Sequence, residues 1–279
     1  MLTIFTIPKP FTDPHIRMIQ RNAIQSWKRL HPDIDVILMG DDAGVAETAK
    51  EFGVRHIPGI AKNEFGTPFL DAAFETARKK ARYETIAYAN TDIMLLSDLI
   101  RTLPRLPTRD FLAIGRRTNL DVDRELSFDD PEWESRLKAE ITGRGTLHSR
   151  VGIDYFIFNK ESFRNMPPFV VGRPAWDHWT VGESRRALRY TIDATACITA
   201  IHQNHEYTQN LLGSKKHTNP EAVSNKRFLK SHAYAFTIED ANWRLTPDGL
   251  KRNHLYWLPF FKRQIKCLLK RQASPRVYS

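Results

Sequence analysis

The sequence predicts an α/β protein: an open, mostly parallel central sheet with helices on both faces. Short β-branched runs alternate with helical patterns through the first third of the chain, and polar turns follow the predicted strands. The chain has 279 residues, of which 41% are hydrophobic and 27% charged. A chain of this length and composition can bury a large core, so wholesale disorder is excluded.

The alternation can be followed element by element. Asp13 and Pro14 form a favourable helix start, and apolar residues then recur at helical spacing as far as Leu30. A later helix is expected to have Thr67 as its cap and Pro68 in its first position, which would make its N-terminus an anion site. The predicted strands of this half are 2–7, 35–39, 54–57 and 85–89, and the predicted helices are 14–30, 43–52 and one that starts after residue 67.

The second half is less regular. Strands are expected at 111–115 and 151–159, a helix from about residue 175, and one or two strands within 190–201. Residues 116–149 are polar and charged and predict a long surface excursion, of a length that usually serves a function. Residues 202–249 are expected to form loops with short helices.

Composition narrows the cellular setting. No apolar run reaches the length that spans a bilayer, and the N-terminus lacks the pattern of a signal peptide. Cys197 and Cys267 can form one bridge at most, so a disulfide scaffold is excluded and a reducing compartment is expected. We therefore expect a cytoplasmic protein, or one on the cytoplasmic face of a membrane.

The positive charge is concentrated at the C-terminus. The net charge is +10, and residues 250–279 hold eight basic residues and no acidic ones. The apolar positions 261, 265, 268 and 269 fall on one face of a predicted helix, between lysines and arginines. Such a helix suits an anionic lipid surface, or packs on the domain with its other face in solvent. Nucleic acid is not expected, because no nucleic-acid-binding signature accompanies the charge.

The strongest local signal for chemistry is Asn90-Thr91-Asp92, directly after the strand 85–89. Ligands of open parallel sheets bind beyond the carboxyl ends of the strands, and amide and carboxylate oxygens suit Mg²⁺ or Mn²⁺ held with a diphosphate. The same residues also suit a simple turn with a helix cap. Asp41 and Asp42 follow the second strand at the same edge, so these polar turns should converge on one crevice.

Two further groups stand out. Trp176 and Trp179 flank Asp177 and His178, an arrangement that suits a sugar ring with Asp177 as general base, or a buried tryptophan pair with Asp177 capping a helix. His202 and His205 suit a metal ligand or ordinary hydrogen bonding. Glycine-rich dinucleotide and P-loop motifs, a serine nucleophile elbow and a Cys-x-x-Cys zinc site are absent from the sequence.

Taken together, these residues resemble the GT-A-fold, nucleotide-sugar-dependent glycosyltransferases, and bacterial family-2-like enzymes of surface-polysaccharide assembly in particular. The resemblance covers about residues 2–210 and lies in the order and spacing of short motifs. These are Thr6-Ile7-Pro8, Gly40-Asp41-Asp42, Asn63 with Gly66-Thr67-Pro68, Tyr88-x-Asn90-x-Asp92, Gly152-Ile153-Asp154-Tyr155-Phe156, Arg173-Pro174-x-Trp176-Asp177-x-Trp179 and His202-x-Asn204-His205.

The resemblance implies a role for each matching residue. Asp41 would lie near the base or ribose, Asp92 would bind the divalent ion, His205 or His202 would complete the metal shell, and Asp177 would be the catalytic base. Asn90 departs from the family, which usually has a carboxylate there, so the ion would have one anionic ligand fewer. The implied donor-binding residues are Thr6, Pro8, Asp41, Asn63, Gly66, Thr67, Asn90 and Asp92, and the implied acceptor-binding residues are Trp176, Trp179, Arg116 and Asp154.

The function expected from the resemblance is sugar transfer from a nucleotide-diphosphate donor to a glycan or lipid-linked acceptor. The expected donor is a UDP-sugar. Mn²⁺ or Mg²⁺ would be the cofactor. Residues 1–249 would form the transferase domain, with a nucleotide-binding half (1–115) and an acceptor half (116–249), and 250–279 a basic amphipathic tail. A sugar nucleotidyltransferase and a non-catalytic membrane- or polyanion-binding protein are the alternatives.

Overall fold

Nine strands form the central sheet of the computed structural model, which describes residues 1–205, 219–229 and 235–273. For residues 267–273 only the backbone is described. The described residues contain thirteen strands in all, nine in the central sheet and four in a second sheet. They are β1 (Thr3–Thr6), β2 (Asp35–Met39), β3 (Arg55–Ile57), β4 (Thr85–Ala89), β5 (Ile93–Leu95), β6 (Phe111–Ile114), β7 (Arg117–Leu120), β8 (Thr146–Leu147), β9 (Tyr155–Asn159), β10 (Tyr190–Asp193), β11 (Ala200–Gln203), β12 (Trp243–Thr246) and β13 (Gly249–Arg252).

Eight α-helices accompany these strands in the described part of the chain. They are α1 (Pro14–Lys28), α2 (Val45–Phe52), α3 (Leu70–Lys80), α4 (Asp98–Thr102), α5 (Trp133–Arg144), α6 (Trp176–Arg186), α7 (Pro220–Arg227) and α8 (Leu258–Ala273), with short 3₁₀ helices at Leu103–Arg105 and Ile238–Asp240.

The central sheet has the order β13-β12-β10-β6-β9-β4-β1-β2-β3. Five of its eight pairings are parallel, so the predicted fold class is confirmed. The antiparallel strand β9 lies between β4 and β6, an insertion that the alternating pattern of the first half did not predict. Because β9 runs against β4, its beginning lies beside the end of β4.

Apolar side chains that alternate along the strands cover both faces of the sheet. On one face, Ile4 and Ala87 pack in a cluster with residues of α1, α2, α4 and α5. On the other face, Phe5 and Tyr88 pack with residues of α3 and α6. Burial of both faces explains why the inner strands are apolar at nearly every position.

A second sheet of four strands has the order β5-β11-β7-β8. Strand β5 follows Asp92 directly and pairs antiparallel with β11, so that Ile93 lies opposite His202. This pairing brings together two polar segments that are separated by more than a hundred residues in the sequence.

Helix α1 holds the ends of β5 and β11 in place. The indole nitrogen of Trp27, which is completely buried, donates a 2.9 Å hydrogen bond to the Ile93 carbonyl. The Asn22 amide donates to Gln203 Oε1 at 2.9 Å, and the Gln203 amide donates to the Ile19 carbonyl at 2.7 Å. Buried polar groups with several partners specify one arrangement of the elements around them.

Three expectations about local structure are wrong. The helix expected to start at Thr67 begins at Leu70, with Phe69 as the N-cap, because residues 62–68 form a turn closed by a bridge between Lys62 and Pro68. Residues 116–149 are not one surface excursion: they contain β7, α5 and β8, and Leu137 of α5 is buried. The strand expected from residue 151 begins at Tyr155.

Other expectations hold to within a few residues. The side chain of Asp13 caps α1 by accepting a hydrogen bond from the Ile16 amide, and Pro14 is the first helical residue, as predicted. Of the loops and short helices expected within 202–249, α7 is present, but the hairpin of β12 and β13 extends the sheet to Arg252, past the predicted boundary at 249/250.

Helix α8 follows that hairpin. Among the described residues, no helix combines the length and the apolar character needed to cross a bilayer.

The hydrogen bond from Trp27 to the Ile93 carbonyl predicts a measurable contribution to stability. Trp27→Phe removes the donor from a buried carbonyl and leaves unfilled space, so we expect the free energy of unfolding to fall by about 2–4 kcal/mol. Urea denaturation of both proteins measures the difference. Leu188→Ala, at a residue that is 89% exposed, should change stability by less than about 0.5 kcal/mol. Equal midpoints for Trp27→Phe and the wild type would contradict this account.

Candidate functional site

Two adjoining cavities lie beyond the ends of β1 and β4. The first cavity has a volume of about 470 Å³ and is lined in part by Pro8, Lys9, Tyr88 and Asp92. The second cavity, of about 580 Å³, is lined in part by Arg117, His148, Asp154, Trp176 and Asp177. Four residues line both cavities, so the two form one continuous crevice: Asn90, Gly172, Arg173 and His205.

The carboxylate of Asp92 lies against two imidazoles at the wall between the cavities. Its Oδ2 atom is 3.1 Å from His205 Nε2 and 3.6 Å from His202 Nε2. Its buried Oδ1 atom has no hydrogen-bond partner within the described part of the chain. One ligand atom from each of the three residues lies within 4.8 Å of the others, so one cation could contact all three.

The protonation states in this cluster suit a cation. Burial lowers the pKa of His202 to about 4, although the Asp92 carboxylate opposes the shift, so this imidazole is neutral at pH 7. For Asp92, burial raises the pKa, but the hydrogen bond with His205 and the electrostatic interactions with His202, His205 and Lys9 outweigh it, and the pKa stays below its usual value. An ionised carboxylate and a neutral imidazole are the forms that bind metal ions.

The sheet pairing explains why these three residues meet. Asp92 precedes β5, His202 lies within β11, and the two strands are antiparallel neighbours. Gln203, whose side chain is completely buried, fixes the position of the chain between the two histidines through its bonds to Asn22 and Ile19. The backbone N–H of Gln203 also donates to the Asp92 backbone carbonyl at 3.1 Å.

A second cluster of hydrogen-bonded side chains extends from Asn90 along the wall of the second cavity. The Asn90 side-chain amide donates to Asp154 Oδ1 at 2.9 Å, and Arg117 Nη1 donates to Asp154 Oδ2 at 2.8 Å. Arg117 Nε in turn donates to Asn119 Oδ1 at 3.1 Å. The antiparallel pairing of β9 with β4 places Asp154 beside Asn90, and the backbone amide of Asn90 also donates to the Asp154 carbonyl.

Burial raises the pKa of Asp154 to about 6, although the guanidinium of Arg117 opposes this shift. Burial and the nearby charges of Arg117 and Arg116 lower the pKa of His148, which lines the same cavity. The second cavity thus contains polar groups whose charges are balanced within the protein, rather than a strongly charged wall.

Asp177 lies in the first turn of α6 and lines the second cavity. Its buried Oδ1 atom accepts no hydrogen bond from any residue that the structure describes. The positive end of the helix dipole favours a carboxylate at this position. Trp176 fixes this end of α6, because its ring packs on Tyr88 and Phe156 with centroid distances of 5.1 and 4.7 Å.

Not every aromatic or basic residue of the sequence motifs faces the crevice. Trp179 is buried against Phe163 and Phe169 and does not line either cavity, so the core interpretation of this residue is the better one. Arg116 donates to the His148 carbonyl at 2.6 Å, and its neighbour Arg117 occupies the cavity wall instead.

Only some of the expected donor-binding residues line the first cavity. Pro8, Asn90 and Asp92 line the first cavity. Asp41 lies outside it and accepts hydrogen bonds from the Gly59 amide, while Asp42 lines the cavity and pairs with Lys62 at 2.9 Å. The buried Thr6 also lies outside both cavity linings.

Asn63, Gly66 and Thr67 form a turn next to the crevice. Asn63 Oδ1 accepts hydrogen bonds from the amides of Phe65 and Thr67, and its amide donates to Glu221 of α7 at 2.8 Å. Glu221 also accepts hydrogen bonds from Arg173, which lines both cavities. The observed contacts of this turn are therefore with the protein, and its predicted contact with a donor remains a prediction.

Sequence reasoning missed several residues of the crevice wall. Lys9 and Arg173 contribute cations, and Asn119 and His148 line the second cavity. Strand periodicity could have found Asn119, because Arg117 and Asn119 of β7 point to the same face. Lys9 lies in an irregular segment, where no periodicity distinguishes it from a surface lysine.

Comparison with known proteins gives likenesses among solved structures. No family model matches the chain, and no curated protein matches its sequence. A protein assigned as a nucleotide-diphospho-sugar transferase, from Desulfovibrio desulfuricans, is 17% identical with a TM-score of 0.45 over 84% of this chain and 96% of that one.

Two further likenesses cover less of the chain. Glucosyl-3-phosphoglycerate synthase from Mycobacterium tuberculosis, solved with Mg²⁺ and UDP, is 13% identical with a TM-score of 0.45 over 81% of this chain and 78% of that one. HddC from Yersinia pseudotuberculosis is 12% identical with a TM-score of 0.37 over 60% and 80%. At these values the likenesses establish nothing about activity or substrate.

Proposed function

We propose that this protein is a glycosyltransferase that moves a sugar from a nucleotide-diphosphate donor to an acceptor hydroxyl. The observation that carries the proposal is the position of the Asp92–His202–His205 cluster between two adjoining cavities, with the Asp177 carboxylate in the second. One cavity for the donor, one for the acceptor and a cation site between them would suit such a transfer.

The first cavity suits a nucleotide diphosphate. Its lining includes Ile7, Pro10 and Tyr88, on which a base or ribose would pack, and Lys9, whose positive charge would suit the phosphates. We propose a UDP-sugar as the donor.

Asp92, His202 and His205 would hold a divalent cation, and the unpartnered, buried Oδ1 of Asp92 fits that role. Imidazole in the ligand set favours Mn²⁺ over Mg²⁺, which prefers oxygen. When bound, the ion would neutralise charge on the departing diphosphate. The side-chain nitrogen of Asn90 donates to Asp154, so a contact of Asn90 with the ion or the donor would be made through its side-chain oxygen.

Asp177 would accept the proton of the acceptor hydroxyl. The Asp177 carboxyl group lies at the second cavity and at the positive end of the α6 dipole, a position that favours negative charge. Asp154, Arg117 and Asn119 would hydrogen-bond the other hydroxyls of the acceptor, and the packed ring of Trp176 would limit its position. A base on the acceptor side favours inversion at the anomeric carbon.

The finer parts of the proposal concern the acceptor and the location. We propose a hexosyl-type transfer to a glycan or lipid-linked acceptor in surface-polysaccharide assembly, by a cytoplasmic protein on the inner face of a membrane. The regions 1–115 and 116–249 would supply the donor and acceptor halves of the site. His205 is the last described residue before the gap at 206–218, so all the proposed ligands and the proposed base lie in the described part.

Asp92→Asn tests the cation site. The substitution keeps the shape and removes the negative charge, so we expect UDP release from the accepted UDP-sugar to fall about 10²–10³-fold. Mn²⁺ with UDP should raise the melting temperature of the wild type but not of the variant. Asp129→Asn, at a side chain that is 91% exposed and outside both cavity linings, is the matched control and should behave as wild type. Undiminished UDP release by Asp92→Asn would exclude the assigned site.

Asp177→Asn tests the proposed base. With an acceptor found by screening, we expect transfer to fall about 10²–10⁴-fold, because the amide cannot take the proton. The affinity for UDP with Mn²⁺ should not change, as measured by calorimetry. Glu183→Gln, on the same helix, is the control. Transfer at the wild-type rate by Asp177→Asn would remove this residue from the mechanism.

The lowered pKa of His202 predicts an acid-dependent loss of stability. Between its ordinary value of 6.5 and about 4, the unfolded chain binds a proton that the folded protein does not. The free energy of unfolding should therefore fall as the pH falls through this window. The slope of the free energy of unfolding against pH measures how many more protons the unfolded chain binds. In EDTA, His202→Gln should reduce this number by up to about one, whereas His254→Gln, at an exposed residue, should leave it unchanged. Equal slopes for the wild type and His202→Gln would contradict the assignment.

A further inference from the structure

Helix α8 presents an apolar stripe to solvent. Phe261 and Ile265, four residues apart and so on one face of the helix, are 53% and 56% exposed. Trp257 at the start of the helix is 45% exposed, and the preceding Leu255 is 61% exposed. Large apolar side chains that are exposed side by side usually mark an interaction surface.

The other face of α8 is bound to the body of the protein. The ring of Phe260 stacks on that of Phe236 at a centroid distance of 5.5 Å, and Arg263 pairs with the buried Asp240 at 2.7 Å. Tyr256 lies under the guanidinium of Arg185 of α6, 3.9 Å from its ring centroid. One face of α8 therefore packs on the domain and the opposite face is exposed, while contact of the tail with a lipid surface stays a prediction.

The exposed stripe is flanked by positive charge. Lys262 and Lys266 are exposed beside Phe261 and Ile265, and Arg252 at the end of the preceding strand β13 is also exposed. No acidic residue occurs in 250–279. A partner for this surface must offer an apolar layer and, next to it, a dense layer of negative charge.

We propose that the exposed face of α8, formed by Trp257, Phe261 and Ile265 with Lys262 and Lys266, docks on the surface of an anionic lipid bilayer. The aromatic and aliphatic side chains would enter the boundary between headgroups and acyl chains, and the lysines would contact the headgroups. The predicted apolar positions 268 and 269 lie where side chains are not described and are not used in this argument.

The docking helix shares a contact residue with the helix that carries Asp177. The carbonyl of Phe236, on which Phe260 stacks, accepts a 2.8 Å hydrogen bond from His178 Nδ1, and the Phe236 ring packs closely against Gly182, both residues being in α6. In the proposed function, docking would therefore hold α6 in a fixed relation to the bilayer that contains a lipid-linked acceptor. Only this last step depends on the proposed function. The docking itself does not.

Vesicle co-sedimentation of the full chain tests the proposal independently of any transfer activity. The wild type should bind vesicles of phosphatidylglycerol and phosphatidylcholine, bind pure phosphatidylcholine far less, and lose affinity as salt is raised. Lys262→Gln with Lys266→Gln should weaken binding about fivefold for each lysine. Phe261→Ser with Ile265→Ser should weaken it about tenfold or more, because the apolar part of the surface is removed.

The matched control is Leu147→Ser with Leu188→Ser, which replaces two exposed apolar residues elsewhere on the molecule. It should bind vesicles like the wild type, and all variants should keep the wild-type melting temperature. Wild-type binding that is absent, or equal on neutral and anionic vesicles, would overturn the proposal. So would a wild-type dimer that Phe261→Ser with Ile265→Ser converts to monomer, because a second copy would then cover this face.

Discussion

The contact between the Asp92 carboxylate and the imidazoles of His202 and His205 is the interaction on which the rest of the site depends. The carboxylate oxygen lies 3.1 and 3.6 Å from the two nitrogens, in a region where burial keeps His202 neutral. The other carboxylate oxygen of Asp92, Oδ1, is buried and has no hydrogen-bond partner among the described residues. Such an oxygen is costly to bury unless a cation binds to it.

The fold supports this contact from several directions. The pairing of β5 with β11 brings His202 to Asp92, and the buried side chains of Asn22 and Gln203 connect β11 to α1. The antiparallel strand β9 brings Asp154 to Asn90, and the ring of Trp176 fixes α6 above the same strand ends. Residues from four distant parts of the sequence therefore meet at one crevice, in positions that depend on backbone pairing rather than on mobile side chains.

The sequence predicted well what depends on local pattern and poorly what depends on long-range pairing. Asp13 and Pro14 start α1 as expected, because capping is decided within four residues. The segment 116–149 was misjudged, because β7 and β8 are stabilised by pairing with β11 and with each other, which a polar sequence does not reveal. Arg116 and Arg117 are adjacent in sequence, and only the register of β7 shows that Arg117 faces the cavity. The core position of Trp179 likewise follows from the packing of α6.

The central claim is that Asp92, His202 and His205 bind one divalent cation next to the phosphates of a nucleotide donor. Pulsed electron paramagnetic resonance of the Mn²⁺-loaded protein tests it most directly. The account predicts nitrogen couplings from directly bound imidazole, and phosphorus couplings that appear when UDP is added. Bound Mn²⁺ without imidazole nitrogen coupling, or without phosphorus coupling in the presence of saturating UDP, would contradict it.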